Sequence, residues 1–352
     1  MAASTGSSAA TASASSAERR SALNGAKLAA IVERRWGPGD RARHALGAGA
    51  ALTEGSRAWV LGDDAGERAL GAALVWADRH HVGELHVLAE DPAAGVLARQ
   101  AALFAPAPTV WRLDGSGADL AEAQPAPLPP RADPPAPTEL VDALIDAGVE
   151  IVVEGGLMRG EVNGLEVARI VAGETSAGVP IDAPLLEVGV GKADRELTAL
   201  VHGELAPLDQ LTRVVEIVRS HRRSGAPRHP LNQLVPERWL RAVLCRRPDI
   251  VGLAALHPAE GPRPRPNLSE RDVAVAAGTD AAGATVVVAC SVGIALDLVP
   301  AAADARALLD PGARLVLALP ERDDHPGTRA LAARLRDPAE VAPISGDWRA
   351  LA

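Results

Sequence analysis

Glu166 and Glu187 stand in two apolar segments, Gly164 to Val171 and Pro184 to Val190, whose composition predicts neighbouring strands. Carboxylates on adjacent strands supply the hard oxygen ligands that Mg2+ or Mn2+ takes while keeping several waters. A metal held there would polarise a phosphate and generate hydroxide from water. Strict alternation puts Glu166, Ala168 and Ile170 on one side of the first strand, and Glu187, Gly189 and Gly191 on one side of the next. The same carboxylates have a structural use open to them, on solvated strand faces or paired with Arg169 and Arg195. Just beyond, Gly189 and Gly191 permit close backbone approach, and Asp194 is placed to cap a following helix. The densest positive stretch is 219–247, where Arg222, Arg223 and Arg241 are the candidates to meet nucleic-acid phosphates. The alternative for that stretch is a solvated face balanced by acid elsewhere, with Trp239 packed inward.

The elements that must position these residues fall into three runs. From Ser56 to Asp114 strand and helix alternate: Ala58–Leu61, a helix over Gly66 to His80, Glu84–Leu88, a helix over Pro92 to Phe104, then Thr109–Leu113. That β-α-β-α-β pattern calls for a parallel sheet. It would bring Asp63, Asp64, Glu90, Asp91 and Asp114 to the edge where open α/β sheets bind ligands. Their default role is helix capping, and no G-x-G-x-x-G is present. Residues 139–148 predict a helix, followed by strands at 150–153, 164–171 and 184–190 and helices at 194–202 and 208–221. The last run has a helix over 237–247, strands at 273–280, 285–293 and 313–319, and a helix over 326–335.

Composition narrows the classes. The chain has 352 residues and 47% hydrophobic content, enough for two or three modest cores. With one Phe and no Tyr, those cores must be built from Ala, Val and Leu. Lys27 and Lys192 are the only lysines against many arginines, a bias that resembles proteins of high-GC bacteria. A net charge of -9 argues against a general polyanion binder. Cys245 and Cys290 make neither a disulfide framework nor a zinc site. No membrane span is expected, and the economical location is the cytoplasm.

The last run carries a family resemblance. Val273-Ala-Val-Ala-Ala-Gly-Thr-Asp280, a turn at Ala281–Gly283, and Thr285-Val-Val-Val-Ala-Cys-Ser-Val-Gly293 resemble the core hairpin of the PD-(D/E)XK, or restriction-endonuclease-like, nucleases. In that family a strand bearing Asp pairs with one bearing Glu-x-Lys around a divalent metal. Here the Glu-x-Lys slot falls on Ala289-Cys290-Ser291, so the last run has the family's scaffold without its ligands. The middle run keeps acids. Under the resemblance Glu166 stands for the Asp and Glu187 for the Glu, Gly189 occupies the Lys position, and Lys192 takes over the lysine's catalytic role. Ser291 also invites comparison with the G-x-S-x-G elbow of α/β-hydrolases, but Ala289 replaces the first Gly, and adjacent Asp324 and His325 cannot readily serve as an acid–base pair.

The expected organisation is therefore α/β. A disordered tail (1–25) precedes a Rossmann-like region (26–115), a Pro-rich linker (116–137), an α-β-β-β-α module (138–225) and a restriction-endonuclease-like module (226–352). The expected function is a nucleic-acid-associated protein acting on DNA or RNA, either a Mg2+- or Mn2+-dependent nuclease using Glu166, Glu187 and Lys192 or a degenerate pseudo-nuclease. Two alternatives stand beside it: an α/β scaffold for a protein partner or a second copy, and a small-molecule binder at the edge near Asp63 and Glu90.

Overall fold

The computed structural model describes residues 5–62, 66–114, 120–131, 134, 137–174, 180–192, 194–196, 207–263 and 267–351. Two compact units divide the chain: Met1–Pro127 with Pro326–Pro338, and Leu128–His325 with Ala339–Ala352. The class is α/β, as the alternating pattern predicts.

In the first unit, helix α1 (Thr5–Trp36) places Leu28, Ile31 and Val32 at helical spacing against the sheet core. It begins inside the stretch whose composition predicts disorder. Strands β1 (Ala42–Leu46), β2 (Gly49–Glu54) and β3 (Arg57–Leu61) form an antiparallel meander. Helix α2 (Ala69–Arg79), β4 (Glu84–Glu90), α3 (Ala93–Ala101) and β5 (Thr109–Leu113) then build the parallel part, and β6 (Leu120–Glu122) pairs antiparallel at the edge. The sequence does not announce β1 and β2, because Ala-Arg-His-Ala-Leu and Gly-Ala-Ala-Leu-Thr-Glu hold almost no β-branched residues. Nor is the Pro-rich stretch a free linker throughout. The Ala126 N–H donates to the Gly95 carbonyl at 2.8 Å, Arg99 donates to the Pro127 carbonyl at 2.8 Å, and the unit boundary comes only after Pro127.

The second unit holds two sheets. The first follows α4 (Thr138–Asp146) and is wholly antiparallel: β7 (Glu150–Glu154), β8 (Leu157–Val162), β9 (Leu165–Glu174) and β10 (Pro180–Val188), in the order β10-β9-β8-β7. It has four strands where three are expected, since β8 carries Arg159, Gly160 and Glu161 and lacks a strand's usual composition. Residues 191–192 and 194–196 are helical, while 197–202 of the expected helix lie outside the described residues. Helix α5 (Pro207–His221) packs beneath the sheet through Leu211, Val215 and Val218.

The last sheet, β11 to β15 in sequence order, begins after α6 (Pro236–Arg246). Strands β11 (Ala255–Ala259), β12 (Ala274–Thr279) and β13 (Thr285–Cys290) form a meander; α7 (Leu298–Leu309) leads to β14 (Arg314–Pro320), and β15 (Glu340–Ile344) completes the sheet. Helix α8 (Pro326–Ala333), between β14 and β15 in sequence, belongs to the first unit. β13 is buried on both faces from Val286 to Cys290, which is why its apolar residues run without alternation. β11 and β15 each contain a Pro, tolerated because both are edge strands. The boundary expected at 225/226 falls inside this one unit. The first and last sheets share one element order: both run α-β-β-β-α-β-α-β. Arg57 faces Glu84 and His86 faces Thr109, as Val286 faces Arg314 and Val316 faces Glu340, so both parallel triplets have the same stagger.

Candidate functional site

The middle sheet brings Glu166 and Glu187 together by breaking the alternation that would keep them apart. Glu187 lies directly across from Arg169, and Val188 across from Ala168, so strict alternation sends Glu166 to the other face. Between β8 and β9, however, the register steps from Gly160↔Ala168 to Glu161↔Glu166, leaving Val167 without a partner on β8. Such a bulge re-aims the side chains beside it. Arg195 then reaches both carboxylates, donating from Nη1 to Glu166 Oε1 at 3.0 Å with its Nε 3.5 Å from Glu187 Oε2. Arg159 Nη1 bonds the other oxygen of Glu166, and Arg169 Nε donates to Glu187 Oε2 at 2.7 Å.

Glu166 and Glu187 therefore take the structural use, in ion pairs with Arg169 and Arg195, and Glu166 does so buried instead of on a solvated face. Arg159 and Arg195 between them engage both oxygens of Glu166, and among the described residues no three His, Cys, Asp or Glu side chains converge. Lys192 does not touch them. It is exposed and lies 3.7 Å from Glu196. Asp194 lies within the helical residues and accepts the N–H of the preceding Val190 at 2.7 Å, so it is not the leading cap residue expected.

Directly opposite Glu166 on β8 is Glu161, only 1% exposed. Like charges so placed repel, and buried ones persist only when paired. Arg238 Nη1 donates to Glu161 Oε1 at 3.0 Å and Arg241 Nη2 to Oε2 at 2.7 Å, both from α6. Burial pushes the Glu161 carboxyl upward, but Arg241 and Arg238 outweigh it and hold the group below the ordinary carboxylate range. Arg238 also bonds Glu154, whose Oε2 is 3.9 Å from Arg159 Nε. The result is one alternating series: Arg241, Glu161, Arg238, Glu154, Arg159, Glu166, Arg195, Glu187, Arg169.

The expected basic face is largely internal. Arg241 belongs to that series. Arg222 is fully buried, donating to the carbonyls of Asn163, Leu231 and Leu234 at 2.8–3.0 Å while stacking 4.7 Å from the Trp239 ring. Burial pushes its guanidinium down to about 9, against the opposing pull of Glu161 and Glu237. Of the three candidates only Arg223 is exposed, bonding the Ser220 carbonyl at 3.1 Å. Trp239 is core, as its helical setting predicts. In the first unit Glu90 pairs with Lys27 at 3.1 Å and Asp91 with Arg112 at 3.4 Å, while Asp63 and Asp64 lie outside the described residues. Ser291 is buried and is no exposed elbow nucleophile.

What opens to solvent is a cleft of about 380 Å3 beside the series, lined by Glu154, Arg159, Glu166, Arg169, Lys192, Arg195, Arg238, Asn267, Leu268 and the glycines 155 and 191. Five cationic side chains face two carboxylates in that lining. Burial lowers the Arg195 guanidinium from its ordinary value against the opposing pull of Glu166 and Glu187, with the neighbouring charges of Arg169 and Arg159 adding to the shift, and its Nε has no hydrogen-bond partner. Sequence reasoning found Glu166, Glu187, Lys192 and Arg195. It missed Glu161 and Arg159, and it assigned Arg238 to the basic stretch 219–247; the signal for Glu161 was the pair of carboxylates, Glu161 and Glu166, flanking the Asn163–Gly164 turn. No family model, curated protein or solved structure matches the chain.

Proposed function

We propose that this protein is a binding protein for a small ligand bearing a phosphate or similar oxyanion, held in the cleft of the middle sheet. The observation that carries the reading is the composition of the alternating series, which begins and ends on arginine and has Lys192 at its rim. Five arginines bonded through four glutamates leave cationic charge over, fixed in direction by the ion pairs that hold it. Donors ordered in advance bind an oxyanion without a further ordering cost, and the volume suits a small molecule better than a polymer track.

Association with DNA or RNA, if it occurs through this site, would engage a terminal phosphate, because Arg222 and Arg241 are buried. The order α-β-β-β-α-β in the last sheet is compatible with restriction-endonuclease-like ancestry. A nuclease centred on Glu166 and Glu187 would need a divalent metal to displace Arg159 and Arg195.

The test is calorimetric titration with AMP and inorganic phosphate, beside labelled single-stranded and duplex DNA in EDTA or Mn2+. Binding of AMP or phosphate should weaken with salt and fall roughly three- to tenfold in Lys192→Ala, a surface change that leaves the buried pairs intact. No binding of either, or binding indifferent to Lys192→Ala and to Arg169→Gln, removes the proposal. Mn2+-dependent cutting lost in Glu166→Ala/Glu187→Ala would replace it with the nuclease.

A further inference from the structure

A second cavity, of about 460 Å3, opens in the last sheet where the parallel strands β14 and β15 end. Its lining comes from the last residue of each strand and those that follow: Pro320, Glu321 and Arg322 at the end of β14, and Ile344, Gly346, Asp347, Trp348 and Arg349 at the end of β15. The carboxyl ends of parallel strands are where open α/β sheets place ligands.

Three observations mark this cavity as built. The Arg349 guanidinium stacks 4.4 Å from the Trp348 ring centroid and 5.3 Å from that of Trp239, and no ion pair holds it among the described residues. Trp348 is 2% exposed, and its indole Nε1–H has no acceptor among the described residues. The nitrogen itself is closed off, so the ring serves as a fixed wall against which Arg349 stacks and offers no donor to the cavity. Third, the adjacent carboxylate does not neutralise Arg349 by contact: Asp347 Oδ2 accepts from Ser224 at 2.9 Å and Oδ1 from the Arg349 backbone N–H at 3.2 Å. Glu321 is exposed at the turn after β14. Burial lowers the Arg349 guanidinium; Asp347 opposes the shift, and the positive charge of Arg322 adds to it.

We infer that this cavity is a second ligand site, for a small organic or inorganic oxyanion, in which Arg349 and Arg322 share the negative group and the Trp348 ring holds Arg349 in place. It is independent of the cleft on the middle sheet. Carboxylate and phosphate present the same acceptor oxygens, so the ligand class is the oxyanion, and the two chemistries are separate arms of the test.

The experiment is a titration of the full-length, 15N-labelled protein followed at the tryptophan indole resonances, with inorganic phosphate in one arm and succinate in the other. Trp348→Phe assigns the Trp348 signal by its loss. One anion or both should move that signal saturably, and the shift should vanish in Arg349→Gln and weaken at least threefold in Arg322→Gln. Lys192→Ala, in the other cleft, should leave it unchanged. If Arg349→Gln disturbs the remaining indole signals, the Arg322→Gln variant, whose side chain is 69% exposed, decides alone. A Trp348 signal that neither anion moves, or a shift that survives in the arginine variants, overturns the inference. A response abolished by Lys192→Ala would assign the anion to the middle cleft instead.

Discussion

Glu161 is the residue on which the middle sheet and α6 depend most directly. Taking a carboxylate and two guanidiniums out of water is costly, and removing one member leaves the others buried without counter-charge, a loss of about 3–5 kcal/mol in comparable pairs. Glu161→Gln should therefore destabilise the protein by roughly 3 kcal/mol in urea unfolding at pH 7. The same residue sets a pH dependence. Its folded pKa lies below the unfolded value, so its contribution is complete above the ordinary glutamate range and is lost as pH falls through the folded value. Between pH 7 and pH 3 the natural protein should lose more stability than Glu161→Gln does. Parallel losses in the two proteins would mean that the pair is not coupled to folding.

Among the elements, the β8–β9 hairpin matters most, because its turn is where the middle sheet meets α6. Gly164 has φ +73°, and a Cβ there would overlap the Arg238 carbonyl group. Gly155, in the β7–β8 turn, has φ +63° but only the Arg159 guanidinium near it, at 3.7 Å. The two glycines share a backbone cost of about 1 kcal/mol for any L residue, and only Gly164 adds a clash with main chain. Gly155→Ala should lower the melting temperature by a few degrees. Gly164→Ala should cost roughly 3 kcal/mol or more, since the turn must withdraw from α6 and loosen the Glu161 pairs with it. Equal effects in thermal melts would show that the close approach carries no stability. The bulge at Val167 belongs to this scale too: it costs a ladder position and in return brings Glu166 within reach of Arg159 and Arg195.

At the scale of the molecule, the chain passes between its two compact units more than once: Pro326–Pro338 belongs with Met1–Pro127, although β14 and β15 on either side of it lie in the second unit. Within the first unit the Ala105 N–H donates to the Arg334 carbonyl, and the Arg336 N–H to the Leu103 carbonyl, both at 2.9 Å. A cut introduced between residues 128 and 137 should therefore leave fragments that co-elute in native size-exclusion chromatography and separate only in denaturant. Separate elution without denaturant would contradict that arrangement. The duplicated α-β-β-β-α-β-α-β order belongs to this scale as well, since no residue-level repeat betrays it.

How much was legible in the sequence follows from the range of the forces involved. Local signals were enough for the α/β class, for the alternating helices and strands of 56–114, for the β12–β13 hairpin and for Trp239 as core. Each depends on neighbours within about one turn or one strand pair. Edge strands β1 and β11 escaped because Ala-Arg-His-Ala-Leu and Ala-Leu-His-Pro-Ala hold no β-branched residue, and β15 because a Pro interrupts its short Glu-Val-Ala-Pro-Ile; pairing with a neighbouring strand, not propensity, makes them strands. The charged residues were the least legible. By composition Arg222 and Arg241 form a basic face, and Glu166 and Glu187 form a metal pair. Whether a charge meets water, a metal or an opposite charge depends on what the fold brings within about 4 Å, and here that was set by a one-residue bulge and by a helix some eighty residues away in sequence.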